Sequence, residues 1–143
     1  MPTPRVEAMG QILRLARVVR TRLDQRFEVH DLTSQQAGAL IHIFGGVSSP
    51  RRLADLLGTD TAGTTRLLNR LESKALIVRR RGQADRRAVV VELTDAGRAS
   101  IPSLPPIFEQ VASEGIAGVS SDDLAIAMRV LAQMLEQLEE VPG

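Results

Sequence analysis

Cysteine is absent from this chain of 143 residues. That excludes a disulfide framework, a thiolate metal site and thiol-based redox sensing. No apolar run approaches the ~18 residues of a membrane span, and the opening "MPTPRVEAMG" lacks the apolar centre of a signal peptide. No membrane partner and a cytoplasmic location are the expectation. Lysine is nearly missing too: of 18 basic residues, only Lys74 is not arginine. Two histidines, His30 and His42, stand far apart in a chain without a tight acidic cluster, so no metal site is expected. No triad neighbours, phosphate-cradling glycine loop or metal-ligand spacing is present, so neither an enzyme nor a cofactor is expected.

What is present is positive charge, unevenly placed. The formal net charge is +1, but residues 1–50 carry six arginines against four acids, residues 51–98 eleven basic residues against six acids, and residues 99–143 one arginine against seven acids. The middle third is therefore a basic face on a nearly neutral molecule. Clustered arginines create a field that steers and holds phosphates whatever the total charge, although a charge run can also be plain solvated surface. The cluster peaks in "RRRGQADRRAVVVEL", residues 79–93, whose first nine positions hold five arginines and a single acid, Asp85.

The length fits one domain, 1–143, burying roughly two-thirds of its unfolded surface. Apolar residues at helical spacing from Val6 to Phe27, including Leu13 and Leu23, predict a long amphipathic first helix. "LTSQQAGALIHIF" opens a second, with Thr33 as cap, Gln36 completing a capping box and Gly45-Gly46 at its end. "SSPRRLADLLG" is a short third helix with Ser49 as cap, Pro50 at the tolerated first position and Gly58 as the stop. The fourth starts within three residues, capped by Thr59 or Asp60, and runs to about Ser73. Two helices joined by so tight a turn are a helix-turn-helix candidate. "LIVRR" and "RAVVVEL" then read as strands of a hairpin around "RGQAD".

Thr94 caps a further helix that Pro102, Pro105 and Pro106 should break around residues 101–106, with a restart through "IFEQVASEG". The last helix, from Ser121 or Asp122 to about Glu140, spaces Leu124, Met128, Leu131, Leu135 and Leu138 by 4, 3, 4 and 3. That is a coiled-coil-like seam. Both outer helices carry more apolar surface than a small winged core covers. Packing against a second copy is the favoured reading, and packing within the chain is the other.

On a wheel of ~100° per residue, Thr64, Leu67, Leu68 and Leu71 define the buried side of the fourth helix. Ala62, Thr65, Arg66, Asn69 and Ser73 lie opposite, with Thr61, Gly63 and Arg70 on the flanks. Small residues permit close approach to a major groove, arginine can pair with guanine and asparagine with adenine, and the helix N-terminus offers N–H groups to a phosphate. In the hairpin, Arg86 and Arg87 point to opposite faces, so one can enter a minor groove while the other folds back. Asp85 is expected to anchor the loop by holding a guanidinium bidentately, the plainer alternative being a weak surface ion pair.

The quoted segments "LTSQQ", "RRLADLLGTDTAGTTRLLNRLESKALIVR" and "DRRAVVVELTDAG" resemble the MarR family of bacterial regulators, named for multiple antibiotic resistance. Asp85, Arg87, Leu93, Thr94 and Gly97 match that family's Asp-x-Arg, strand, Leu-Thr-x-x-Gly pattern. The resemblance implies a mainly α fold with a small β-hairpin: a winged helix-turn-helix core over residues 32–98 and dimerisation helices at 5–28 and 99–141. It implies a homodimer with interlocking terminal helices, including Leu13, Leu23, Phe27 and the Leu124 to Leu138 seam. It also implies double-stranded DNA as partner, contacted by Thr61, Ala62, Thr65, Arg66, Asn69 and Arg70 from the helix and by Arg86 or Arg87 from the wing. A ligand-responsive repressor on a pseudo-palindromic operator is the expectation, with an unidentified small-molecule effector that Arg14 and Arg17 could face. A winged helix used for protein contacts, with weak DNA affinity, is the alternative. Two departures from the family pattern stand out: Ala75 where glycine is usual, and the prolines of "IPSLPPIF" in a helix that is usually long.

Overall fold

The second helix sits at the centre of the core, and its N-terminus is closed by the capping box foreseen in the sequence. In the computed structural model, which describes residues 1–140, Thr33 Oγ1 accepts from the Gln36 N–H at 3.1 Å and Gln36 Oε1 accepts from the Thr33 N–H at 3.2 Å. A third N–H of that turn, on Ser34, donates to Asp24 Oδ1 at 2.8 Å. The helix start is thereby tied to the preceding helix, and two of its orphan donors are satisfied by side chains.

The elements in order are α1 (Pro4–Phe27), a 3-10 turn (Glu28–His30), α2 (Ser34–Phe44), α3 (Pro50–Leu57), α4 (Thr61–Ser73), β1 (Ile77–Arg81), β2 (Val89–Leu93), α5 (Asp95–Ser100), a second 3-10 turn (Ile101–Ser103), α6 (Pro105–Gly115) and α7 (Ser121–Glu140). They divide into two compact units, Met1–Val111 and Ala112–Gly143. The final residue of the expected segment 99–141 lies outside the described residues.

Within the first unit, one core collects Phe27, Ala37, Leu40, Leu53, Leu68, Leu71, Ile77, Val91, Ile101 and Leu104. Phe27 was expected on a dimer face. It is instead fully buried, its ring 5.0 Å from that of Phe108, because the 3-10 turn after α1 brings the helix end over the core. Leu23, one turn earlier, is half-buried and packs on the same cluster. The proline break falls where the sequence placed it: α5 stops at Ser100, and Pro102, lacking an N–H, sits in the 3-10 turn. That turn directs both Ile101 and Leu104 into the core.

The hairpin is antiparallel with Ile77 opposite Leu93, Arg79 opposite Val91 and Arg81 opposite Val89. Val91 also donates its N–H to the Ser48 carbonyl at 2.8 Å, which pins the hairpin to the α2–α3 connection. In the second unit Leu124 of α7 is half-buried, and Met128, Leu131, Leu135 and Leu138 of its seam are exposed.

The exit from α4 shows why Ala75 departs from pattern at a cost. Leu76 N–H donates to the Leu71 carbonyl at 3.0 Å and Ala75 N–H to the Glu72 carbonyl at 2.9 Å, the pair of bonds that defines a Schellman ending. Such an ending requires a left-handed residue, and Ala75 takes it at φ 60°. Directly after this turn the chain meets the start of α5. Thr94 N–H donates to the Leu76 carbonyl at 3.1 Å, and Thr94 Oγ1 donates to the Ala75 carbonyl at 2.6 Å while accepting from the Gly97 N–H at 3.0 Å. A Cβ on Gly97 would lie 2.1 Å from the Leu76 carbonyl oxygen, so only glycine fits.

Two substitutions test this junction by urea unfolding. Ala75→Gly relieves a left-handed penalty of ~1–2 kcal/mol against ~0.5–1 kcal/mol of added chain entropy, for a net stabilisation of ~0–1.5 kcal/mol. Gly97→Ala forces backbone apart and is expected to destabilise by ~1–3 kcal/mol or more. A destabilised Ala75→Gly, or a neutral Gly97→Ala, would contradict this account of the junction.

Candidate nucleic-acid interface

The turn between α3 and α4 is set by Gly58, left-handed at φ 64°, with Gly58 and Thr59 N–H groups closing the end of α3 on the Asp55 and Ala54 carbonyls. Asp60 then caps α4, its Oδ1 accepting from the Gly63 N–H at 2.7 Å. The N-terminus of α4 is thus already met by a carboxylate, which offsets the phosphate affinity expected of a bare helix end. Thr64, Leu67, Leu68 and Leu71 are buried, as the wheel foretold. Thr61, Ala62, Thr65, Arg66, Asn69 and Arg70 are all exposed, and the Thr65 hydroxyl donates to the Thr61 carbonyl at 2.9 Å.

Asn69 is not a free end. Its Oδ1 accepts from Arg79 Nη2 at 2.6 Å. The same guanidinium grips Glu72 with both prongs, Nε to Oε2 at 3.2 Å and Nη2 to Oε1 at 3.1 Å. Those hydrogen bonds hold the Glu72 carboxyl below its ordinary range and raise Arg79 above its own, so the pair stays charged around neutrality. Arg79 therefore fastens β1 to the exposed side of α4. Sequence reasoning missed this role, though strand alternation held the signal: Ile77 faces the core, and Arg79 lies on the same side of β1.

At the hairpin tip, Gly82 N–H donates to the Ala88 carbonyl at 2.9 Å and Ala88 N–H to the Asp85 carbonyl at 3.1 Å. Asp85 Oδ1 accepts from the Arg87 backbone N–H at 2.9 Å. The acid does brace the loop, through the backbone in an Asx-type turn and not through the guanidinium that was expected. Arg86 and Arg87 are both exposed, so neither is seen folded back on a carboxylate. Arg80 pairs with Glu92 at 3.1 Å. Of the five arginines, two are thus held by acids. Arg81, Arg86 and Arg87 have no carboxylate partner among the described residues.

A separate cleft of about 280 Å³ lies between α1, α2 and α3 and is lined by Val19, Arg20, Leu23, Gln35, Gly38, Leu57 and Phe108, among others. With the Gln35 amide turned so that its oxygen meets the Arg20 guanidinium, the orientation that pairs acceptor with donors, the N···O distances are 3.0 and 3.1 Å. Arg14 and Arg17, the arginines suggested by sequence, do not line it. Among the described residues no group of three His, Asp or Glu side chains could hold a metal, and no helix is long and apolar enough to cross a membrane.

Three helices followed by a hairpin, with the third helix of that series exposed along its polar side, define a winged helix-turn-helix protein. The MarR family model matches residues 30–88. The transcriptional regulator PA3341 is 29% identical, superposes with a TM-score of 0.81 and is matched over 93% of this chain and 99% of its own. BldR, a transcriptional regulator from Sulfolobus solfataricus, gives 0.83 at 22% identity, covering 93% and 95% of the two chains. MepR from S. aureus, solved as a complex with DNA, gives 0.82 at 22% identity, covering 90% and 96%. The chain is thus similar to MarR-family proteins across its central region and has the fold of these transcriptional regulators over nearly its whole length.

Replacing Asp85 tests the loop brace directly. Loss of one hydrogen bond of ~0.5–1.5 kcal/mol should speed hydrogen exchange at the Arg87 amide roughly 2- to 10-fold in Asp85→Ala. Asp85→Asn keeps an acceptor oxygen and should exchange much like the parent. Equal protection in Asp85→Ala would show that the carboxylate does not brace the tip.

Proposed function

We propose that this chain is a sequence-specific double-stranded DNA-binding transcriptional regulator that acts as a homodimer on a pseudo-palindromic operator. The observation that carries the reading is the Arg79 clamp: it makes the exposed side of α4 and the arginine-tipped hairpin one surface. Residues 32–98 form the DNA-binding region on this reading. Thr61, Ala62, Thr65, Arg66, Asn69 and Arg70 meet the major groove, and Arg86 or Arg87 the minor groove, with Arg81 added by its lack of an acidic partner. The complex of MepR with DNA supports the assignment by likeness of fold.

The homodimer is supported by apolar surface that a lone chain leaves in water. On α1, Val6 and Leu13 are 61% and 69% exposed, and on α7, Met128 and Leu138 are 63% and 69% exposed. Stripes of this kind at helical spacing are what a second copy would cover. The proposed regulatory class is a ligand-responsive repressor. The Arg20 cleft supports it, since a guanidinium held beside an apolar wall suits a small anion with an apolar body. No catalytic role is assigned.

Affinity for duplex from the gene's own upstream region should exceed that for a scrambled duplex by ~10³ or more, and log K should fall steeply with log salt. Alanine at Arg81, Arg86 or Arg87 should lessen the salt slope by about one each where a phosphate is contacted. Weak and equal binding to both duplexes would favour a winged helix that meets an acidic protein.

Arg66→Ala should relax preference at one position per half-site, at ~1–3 kcal/mol for a lost bidentate contact. Uniform loss on every sequence would remove Arg66 from base reading. The half-sites should lie about one helical turn, roughly 10 base pairs, apart.

A further inference from the structure

An unengaged asparagine on a recognition helix suits adenine, because its oxygen accepts from the N6 amino group while its amide nitrogen donates to N7. Asn69 has a prior engagement. Its Oδ1 takes a short, charge-assisted bond from Arg79 Nη2 at 2.6 Å. Arg79 is itself fixed, held by both Glu72 oxygens and with its side chain only 27% exposed. Turning the amide over would set its NH₂ against the guanidinium, donors facing donors, so the orientation is locked.

We propose that Arg79 is a specificity-determining positioning residue that, by holding the Asn69 carbonyl oxygen, makes Asn69 a donor toward DNA and directs it to a base with acceptors on its major-groove edge, guanine before thymine. The inference rests on the DNA-binding reading above. Guanine offers N7 and O6, both acceptors, to the two N–H bonds of Asn69 Nδ2, and thymine offers O4. Adenine would have to bring its N6 amino group to the remaining lone pair of Oδ1, beside a guanidinium cation. Cytosine presents an amino donor and is disfavoured in the same way. Glu72 matters at one remove, because it keeps Arg79 from swinging away.

The test is selection of a randomised half-site library with the full chain, sequenced before and after binding. Asn69→Ala marks the base position that Asn69 reads, as the one whose preference disappears. At that position the parent should favour guanine over adenine by about tenfold or more. Arg79→Met should lower that ratio about tenfold, with the other positions changed less than twofold, and Glu72→Gln should shift it in the same direction by less. A thermal melt of each variant confirms folding. Should Arg79→Met not fold, Glu72→Gln carries the comparison alone, and an unmoved ratio in it overturns the proposal.

Adenine preference in the parent overturns it, as does an unchanged profile in folded Arg79→Met. Equal weakening at every position also does so, since that is the mark of a structural role only. Absence of any sequence enrichment by the parent is a separate result: it removes the DNA-binding reading and this inference with it.

Discussion

The junction where the left-handed turn after α4 meets the first turn of α5 governs much of the arrangement around it. Leu76 offers its carbonyl to Thr94, Ala75 offers its own to the Thr94 hydroxyl, and Gly97 lies so close that no side chain could stand there. One turn therefore fixes three directions at once: the exit of α4, the start of β1 and the return of the chain into α5 after β2. The core depends on it as well, since Leu71, Ile77 and Val91 converge beneath it. The Leu-Thr-x-x-Gly pattern of residues 93–97 thus has a physical content. Leucine supplies a strand end, threonine a cap that also bridges to the turn, and glycine the room for two backbones to touch.

Helix limits were legible because they are written in local chemistry. Thr33 with Gln36, Ser49 with Pro50, Gly58 and Thr94 each act on donors and acceptors within four residues, and each stands where the sequence reading put it. The break at Pro102 is of the same kind. The buried side of α4 was legible from periodicity alone. What was not legible depends on partners distant in sequence or on direction at a helix end. Phe27 continues the apolar spacing of α1, and nothing in that spacing reveals that the chain turns there and buries the ring against Phe108. The choice Asp85 makes between a guanidinium and a backbone N–H turns on loop geometry, which composition does not contain. The Arg20–Gln35 contact is of the same kind, because only the packing of α1 on α2 decides which arginine of α1 faces Gln35.

Counting arginines would overstate the positive field of the hairpin and misplace it. Arg79 and Arg80 lie within the paired strands and are matched by Glu72 and Glu92, whereas Arg81 forms the last pair and Arg86 and Arg87 lie beyond it in the loop. The base of the hairpin is consequently a set of ion pairs that set geometry, and unbalanced charge is left at the tip. This separation suits the proposed function. A charge must be unmatched to be drawn to phosphate or to a narrow minor groove, but the strand carrying it must be held rigidly if it is to arrive at a set distance from α4. Arg79 gives up its share in the first task to perform the second. Asp85 keeps to the same division by bonding the Arg87 N–H and leaving the guanidinium of that residue outward. A single acid among five arginines can therefore shape the loop without neutralising the charge that the loop presents.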